Sequence, residues 1–252
     1  MNNPSDYYEN DTTLAQYLEF HFGESWHGEA NFPKELAEAA LEALNGRETC
    51  RALDIGCAVG RTTLELARHF DHVDGVDFSQ TFVNTCRDVV ANGMARYARP
   101  EEGELVSYQE RSLAALGLVE AAQRVAFHQG DACDLGQDYR DYDLVLAGNL
   151  IDRLYKPSLF LETIHERIND LGLLVIASPY TWLEDYTPKS EWVGGYLKNG
   201  EPFTTLDGLK DMLAPHFRLL GEPRSLPFVI RETRNKFQHS FSELTIWEKL
   251  PA

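Results

Sequence analysis

The run Arg51-Ala-Leu-Asp-Ile-Gly-Cys-Ala-Val-Gly-Arg61, followed by Val73-Asp-Gly-Val-Asp77, leaves this chain few folds to choose from. A short apolar strand carrying Asp54 enters a turn with glycines at Gly56 and Gly60. A helix opens at Arg61, and a second strand ends on an acid at Asp77. That order predicts a nucleoside-binding βαβ unit. Glycine lets backbone approach a ligand because it has no Cβ, and a carboxylate at the tip of the second strand accepts both hydroxyls of a ribose. The dinucleotide fingerprint needs Gly-x-Gly-x-x-Gly so that a pyrophosphate can rest on a helix N-terminus. Cys57-Ala-Val removes the middle glycine. A ligand with a ribose and no phosphates fits this turn better, which disfavours a nicotinamide-dependent oxidoreductase.

The rest of the chain extends this unit into an α/β pattern. Strands are expected at 50–55, 72–76, 124–129, 142–149 and 172–178, and helices at 61–69, 79–91 and 158–168, with Ser79 as the cap of the second of these. The 172–178 run is almost continuously apolar, as a parallel strand buried on both faces should be. Two helices come first. One covers 12–22, capped by Thr12 or Thr13, with Leu14, Tyr17, Leu18 and His21 on one face. The other runs from Phe32 to about Asn45-Gly46, with Pro33 in its first turn. Residues 1–46 are expected to act as a helical lid over the ligand. Residues 93–123 break the rhythm: a turn signal at Pro100 to Gly103 predicts a hairpin insertion, with a helix at 113–122. Residues 179–205, rich in Tyr, Trp, Gly and Pro, read as a substrate loop. A short helix at 206–213 and two long antiparallel strands within 216–249 complete the chain. The expectation is one domain over 1–252: a doubly wound, seven-stranded Rossmann-like sheet with one antiparallel strand, and the ligand at the carboxyl ends of strands one, two and four.

Forty acids against 23 bases give a net charge of -17, and no Lys/Arg cluster interrupts it. Such a surface repels phosphate backbones, so nucleic acid and anionic membranes are not expected as partners and a small molecule is. No run approaches the roughly 20 apolar residues of a membrane span, and the first residues lack a signal-peptide pattern; the reading is cytoplasmic. Cys50, Cys57, Cys86 and Cys133 form no Cys-x-x-Cys pair and read as reduced thiols. Cys57 either fills space in the turn or faces the ligand. The eight His are scattered, His69 and His72 lie near no further ligands, and no metal site is expected.

The glycine turn, Asp77 and the later Gly130-Asp131-Ala132 together resemble the first motifs of class I S-adenosylmethionine-dependent methyltransferases. The resemblance implies S-adenosylmethionine as cofactor and S-adenosylhomocysteine as product. It places Asp54, Gly56 and Gly60 at the methionine end, Asp77 at the ribose and Asp131 at the adenine amino group, with Cys57, Phe78, Ala132 and Asn149 also among the cofactor-binding residues. A longer resemblance runs through Tyr7-Tyr-Glu-Asn, Tyr17 to Gly23, Gly148-Asn-Leu-Ile-Asp-Arg-Leu-Tyr155, Ser178-Pro-Tyr-Thr-Trp-Leu-Glu184 and Pro227 to His239. These segments are similar to the C-terminal methyltransferase domain of ovothiol synthases. They imply methylation of an imidazole nitrogen of 5-thiohistidine. Fused ovothiol synthases also carry an iron-dependent sulfoxide synthase with a histidine metal site. This sequence holds no such site, so the expectation is a stand-alone methyltransferase linked functionally to a separate sulfoxide synthase. The alternative is another small amine, thiol or carboxylate acceptor.

A sulfonium methyl is already activated, so the protein must align an unprotonated nitrogen and exclude water. Asn149 reads as a hydrogen-bond orienter of the imidazole. Asp152 is either a base or ammonium partner, or a structural acid that caps a helix or pairs with Arg153. An amino-acid carboxylate calls for a cation, and Arg231 and Arg234 offer the planar fork; strand alternation lets only one of them face a pocket, and an exposed strand edge is the alternative. Tyr7, Tyr8 and Tyr180 are candidates to face the sulfonium or the ring, whereas Trp182, Trp192 and Trp247 read as core. Oligomeric state is not encoded in any of these patterns.

Overall fold

The structure, a computed structural model, describes residues 8–47 and 49–251. In chain order its elements are α1 (Asp11–Phe22), α2 (Phe32–Leu44), β1 (Arg51–Ile55), α3 (Arg61–Leu66), β2 (His72–Asp77), α4 (Gln80–Asn92), β3 (Met94–Glu102), β4 (Leu105–Ser112), β5 (Val125–Gln129), β6 (Tyr142–Gly148), α5 (Pro157–Thr163), β7 (Ile168–Ser178), β8 (Tyr196–Lys198), β9 (Glu201–Phe203), α6 (Thr205–Leu213), β10 (Phe217–Leu219), β11 (Arg224–Thr233) and β12 (Lys236–Lys249).

The main sheet runs β10-β12-β7-β6-β1-β2-β5, with β11 paired to β12 beside this path. Strands β5, β2, β1, β6 and β7 are mutually parallel, and β12 pairs antiparallel with β7, β10 and β11. The seven-stranded sheet with one reversed strand is therefore present, extended by β11 as an eighth strand.

Successive side chains of a strand point to opposite faces, and the central strands use both. Ala52, Leu144, Leu146, Leu173 and Val175 pack with Leu36, Ala40, Leu64 and Leu66 of α2 and α3. Leu53, Ile55, Val145, Leu174 and Ile176 pack instead with Phe160 and Ile164 near α5 and with Leu209 and Leu213 of α6. A sheet apolar on both faces and covered on both is the doubly wound arrangement that continuously apolar strands predict.

Local chemistry sets most boundaries as expected. Ser79 Oγ accepts from Phe82 N to cap α4, and Pro33 sits in the first turn of α2. Helix α1 is capped by Asn10, whose side chain accepts from Thr13 N, rather than by Thr12 or Thr13. The β3–β4 hairpin lies where the turn at Pro100 to Gly103 puts it. The helix expected over 113–122 does not form, because Gly117 takes a left-handed φ of 68° and ends the turn, leaving a short 3-10 segment at Ala121–Arg124. Among the described residues no helix is long and apolar enough to cross a membrane.

Candidate active site

The carboxyl ends of β1, β2 and β6 converge on a cavity of about 490 Å³, closed on the far side by α1 and α2. Its size is ordinary for a small-molecule site. Asp54, Gly56, Cys57, Ala58, Asp77 and Phe78 form one wall, Asp131 and Ala132 a second, and Gly148, Asn149, Leu150, Arg153 and Tyr155 a third. Tyr17, Phe20 and His21 come from α1 and Phe32 and Leu36 from α2.

The β1–α3 turn is built from left-handed backbone: φ is 74° at Gly56, 47° at Ala58 and 86° at Gly60. A Cβ on Gly56 would meet Leu150 Cδ1 at 2.9 Å and push that side chain aside, and the left-handed φ further favours glycine there. Ala58, standing where the middle glycine is missing, still adopts the left-handed form. Its N–H donates to Asp77 Oδ2 at 2.8 Å, and Ser79 N–H donates to Asp77 Oδ1 at 2.9 Å. Both oxygens of Asp77 are thus fixed from behind, with a second lone pair each toward the cavity. Phe78, 58% exposed, stands beside it at the rim.

Burial governs the acids. Desolvation raises the Asp77 carboxyl to about 6 against the opposing amide hydrogen bonds, and raises Asp54 to about 7 although Thr63 Oγ1 donates to it at 2.6 Å. His21 goes the other way: burial first, then the Arg61 charge, lower its imidazole to about 3. Its Nδ1 accepts from Arg61 N–H at 3.3 Å, which leaves Nε2–H as a donor and removes His21 as a base. Asp131 Oδ1 accepts from Cys133 N–H, and Tyr155 Oη donates to Oδ2 at 3.2 Å.

Asn149 follows β6 directly with φ 52°, its N–H donating to Ala177 O at 2.7 Å. Ser242 Oγ donates to its Oδ1 at 2.6 Å, leaving Nδ2 as a donor at the cavity. A strained strand end of this kind, aimed into a cleft, is a frequent feature of functional sites.

A family model described as a methyltransferase domain matches residues 26–226, most of the chain and all three cavity walls. The chain belongs to this methyltransferase family. A ubiquinone biosynthesis O-methyltransferase from Azorhizobium caulinodans is 27% identical to it over 128 residues, 51% of this chain and 40% of that protein. The methyltransferase thus spans less than half the length of this curated relative. Among solved structures, magnesium protoporphyrin IX methyltransferase from Synechocystis PCC 6803, with bound SAH, aligns at a TM-score of 0.56 and 14% identity, covering 97% of each chain. The N-methyltransferase NodS from Bradyrhizobium japonicum, in complex with S-adenosyl-L-homocysteine, aligns at a TM-score of 0.54 and 13% identity, covering 95% of this chain and 99% of that one. At such identities the likeness is one of fold.

The methyltransferase brings Asp54, Gly56, Cys57, Asp77, Phe78, Asp131, Ala132, Asn149 and Tyr8 to one cavity. Cys57 both lines it and packs with Val83, Cys86 and Phe127. Tyr7 lies outside the described residues. Five other expectations are corrected by geometry. Gly60 lies behind the cavity, where a Cβ would meet the Phe127 ring at 2.9 Å, and acts as the cap of α3. Asp152 is 0% exposed and its carboxylate is consumed by Ser178 Oγ, Thr181 N–H and Arg153 Nη1 at 2.9 to 3.0 Å, so it is a brace and not a base. Arg231 is buried away from the cavity, donating to Pro100 O and Glu101 Oε2 at 2.6 Å each and thereby pinning the hairpin. Arg234 is exposed, its backbone N–H bonded to Glu101 O. Tyr180 turns toward β12 and donates to Glu243 Oε1 at 2.9 Å.

From the 179–205 loop, Tyr186 alone reaches the cavity. Trp182 stacks on Trp192 and donates to Thr205, while Trp247 is core, as read from sequence. Among the residues that sequence reasoning missed are His21, Tyr17, Phe82, Arg153, Tyr155 and Tyr186. Arg153 and Tyr155 lie inside the Gly148–Tyr155 segment that carries the narrower resemblance, and that segment was their available signal.

Proposed function

We propose that the chain is an S-adenosylmethionine-dependent N-methyltransferase whose acceptor is an imidazole nitrogen of 5-thiohistidine. The observation that carries this reading is that one of the two segments on which the resemblance to ovothiol synthases chiefly rests, Gly148 to Tyr155, supplies a wall of the cavity through Gly148, Asn149, Leu150, Arg153, Leu154 and Tyr155.

The residues present fit the cofactor. Asp77 offers two anchored oxygens to ribose hydroxyls, Asp131 and Phe78 border a space for adenine, and Gly56 keeps the backbone approach clear of Leu150. When bound, S-adenosylmethionine supplies an activated sulfonium methyl group. This chain's part is placement. Asn149 Nδ2 is a fixed donor to the acceptor ring, and Tyr8, Tyr17 and Phe82 form an aromatic wall with ring centroids 4.9 to 6.0 Å apart. Such faces hold a planar ring and favour the developing cation by their quadrupole. Imidazole is largely unprotonated at neutral pH, so alignment and exclusion of water are the chief requirements.

A second reading, methylation of another small amine, thiol or carboxylate, is favoured by one feature: Phe20, Phe32, Leu36 and Ile230 make part of the wall wholly apolar. A turnover panel of 5-thiohistidine, histidine, simple thiols, amines and carboxylates separates the two. The proposal expects turnover on 5-thiohistidine well above the rest; S-adenosylhomocysteine binding without methyl transfer to 5-thiohistidine would refute it.

A further inference from the structure

Arg153 is the one Lys or Arg among the described residues that line the cavity. Its guanidinium is used on one side. Nη1 donates to Asp152 O and Asp152 Oδ2 at 2.9 Å and to Thr181 O at 3.0 Å. Nη2 and Nε have no acceptor among the described residues. The group sits over the Tyr186 ring, 5.0 Å from its centroid, and the Tyr186 ring lies 6.4 Å from that of Tyr8. The side chain is 26% exposed while Asp152 is fully buried, so the ion pair fixes Nη1 and leaves Nε and Nη2 as the unused donors of a side chain that lines the cavity.

The presented edge has a specific chemistry. Nε–H and Nη2–H are parallel donors on one side of a rigid plane, the geometry that takes a carboxylate through two hydrogen bonds. Three acceptors and a ring hold the plane in advance, so little side-chain entropy remains to be lost on binding. Left unpaired in an aromatic wall, such donors carry a desolvation cost that an anionic ligand group removes.

We propose that the Nε/Nη2 edge of Arg153, flanked by Tyr8 and Tyr186, is a carboxylate subsite that selects methyl acceptors bearing an anionic group. This deepens the reading above, on which it rests for the acceptor's position in the cavity, and it fills the role for which Arg231 and Arg234 are misplaced.

The test is calorimetry on the full chain saturated with S-adenosylhomocysteine, using matched probes that differ only in a carboxylate. Imidazole-4-acetate is compared with 4-methylimidazole, and 5-thiohistidine with its decarboxylated amine. The wild type should bind the carboxylated member of each pair roughly tenfold more tightly or better, and Arg153→Met should erase that preference. Arg153→Lys, which keeps the charge and loses the fork, should retain only part of it. Should Arg153→Met fail to fold, the Lys variant carries the comparison, with S-adenosylhomocysteine affinity near the wild-type value as its folding check. If 5-thiohistidine does not bind but the imidazole-4-acetate preference persists and depends on Arg153, the subsite stands and the thiohistidine assignment falls. Equal binding within both pairs, or a preference that survives Arg153→Met, overturns the subsite. So does a variant that loses S-adenosylhomocysteine affinity with its acceptor preference intact, because Arg153 would then serve the cofactor's own carboxylate.

Discussion

Ser242 Oγ donates to Asn149 Oδ1 at 2.6 Å, so the reversed strand β12 fixes the amide that directly follows β6. Ser242 is fully buried and does not line the cavity. It acts through Asn149, and the effect of removing it should be one of geometry. Ser242→Ala is expected to lower kcat about tenfold and Asn149→Ala about a hundredfold, the range for a misplaced reacting group. Binding of S-adenosylhomocysteine should barely change in Ser242→Ala. Steady-state kinetics with calorimetry checks this, and an unchanged kcat in Ser242→Ala would remove the positioning role.

Gly56 and Ala58 separate two demands on one turn. Ala58 shows that a Cβ is tolerated at φ 47° where there is room, whereas a Cβ at Gly56 meets Leu150 at 2.9 Å. Gly56→Ala should therefore cost about 1–2 kcal/mol from the left-handed backbone alone, plus the displacement of Leu150 from the cavity wall. Denaturant unfolding and S-adenosylhomocysteine titration should both show a loss.

Asp54 and Asp77 make stability and binding depend on pH in a defined direction. Burial is the first cause of both shifts, to about 7 and about 6 against an ordinary value of 3.8. The folded chain holds these protons more tightly than the unfolded one. The stability they contribute is complete below about pH 4 and is lost as pH rises through 6 to 7. Asp54→Asn should thus gain in thermal midpoint relative to wild type between pH 5 and pH 8. Ribose hydroxyls and ammonium groups favour the carboxylates, so S-adenosylhomocysteine should bind more tightly across the same window and release protons. Calorimetry in buffers of different ionisation enthalpy reads that release, and proton uptake would contradict it.

Arg231 has a structural duty that its sequence position does not reveal. With 2% of its side chain exposed, it bonds Glu101 and Pro100 on the β3–β4 hairpin, while Tyr97 and Arg99 of the same hairpin bond Glu19 of α1. Breaking a buried pair leaves an uncompensated charge, so Arg231→Met should destabilise by about 2–4 kcal/mol. Once folded, the variant should keep its discrimination among acceptors. Chemical denaturation and the matched probe pairs measure the two effects apart.

These corrections show what the sequence exposes and what it hides. The β1 turn, Asp77 and Asp131 are legible because each is fixed by neighbours a few residues away, and the resulting βαβ geometry is local. Asp152, Arg231 and Tyr180 have chemically suitable side chains at suggestive places. Their partners, Thr181, Pro100, Glu101 and Glu243, are 29 to 131 positions distant. Long-range hydrogen bonds consume the lone pairs and donors that a functional role would need, and no periodicity records that. His21 was legible as a helix-face residue, but its tautomer depends on the amide of Arg61, 40 positions away.

The most direct test of the account is a single-turnover reaction with S-adenosylmethionine carrying a deuterated methyl group and 5-thiohistidine as acceptor, read by mass spectrometry and NMR. The label is expected on a ring nitrogen, formed in step with S-adenosylhomocysteine and reduced by Asn149→Ala. Label on the sulfur or the α-amine, or no labelled product from a protein that binds S-adenosylhomocysteine, would contradict it.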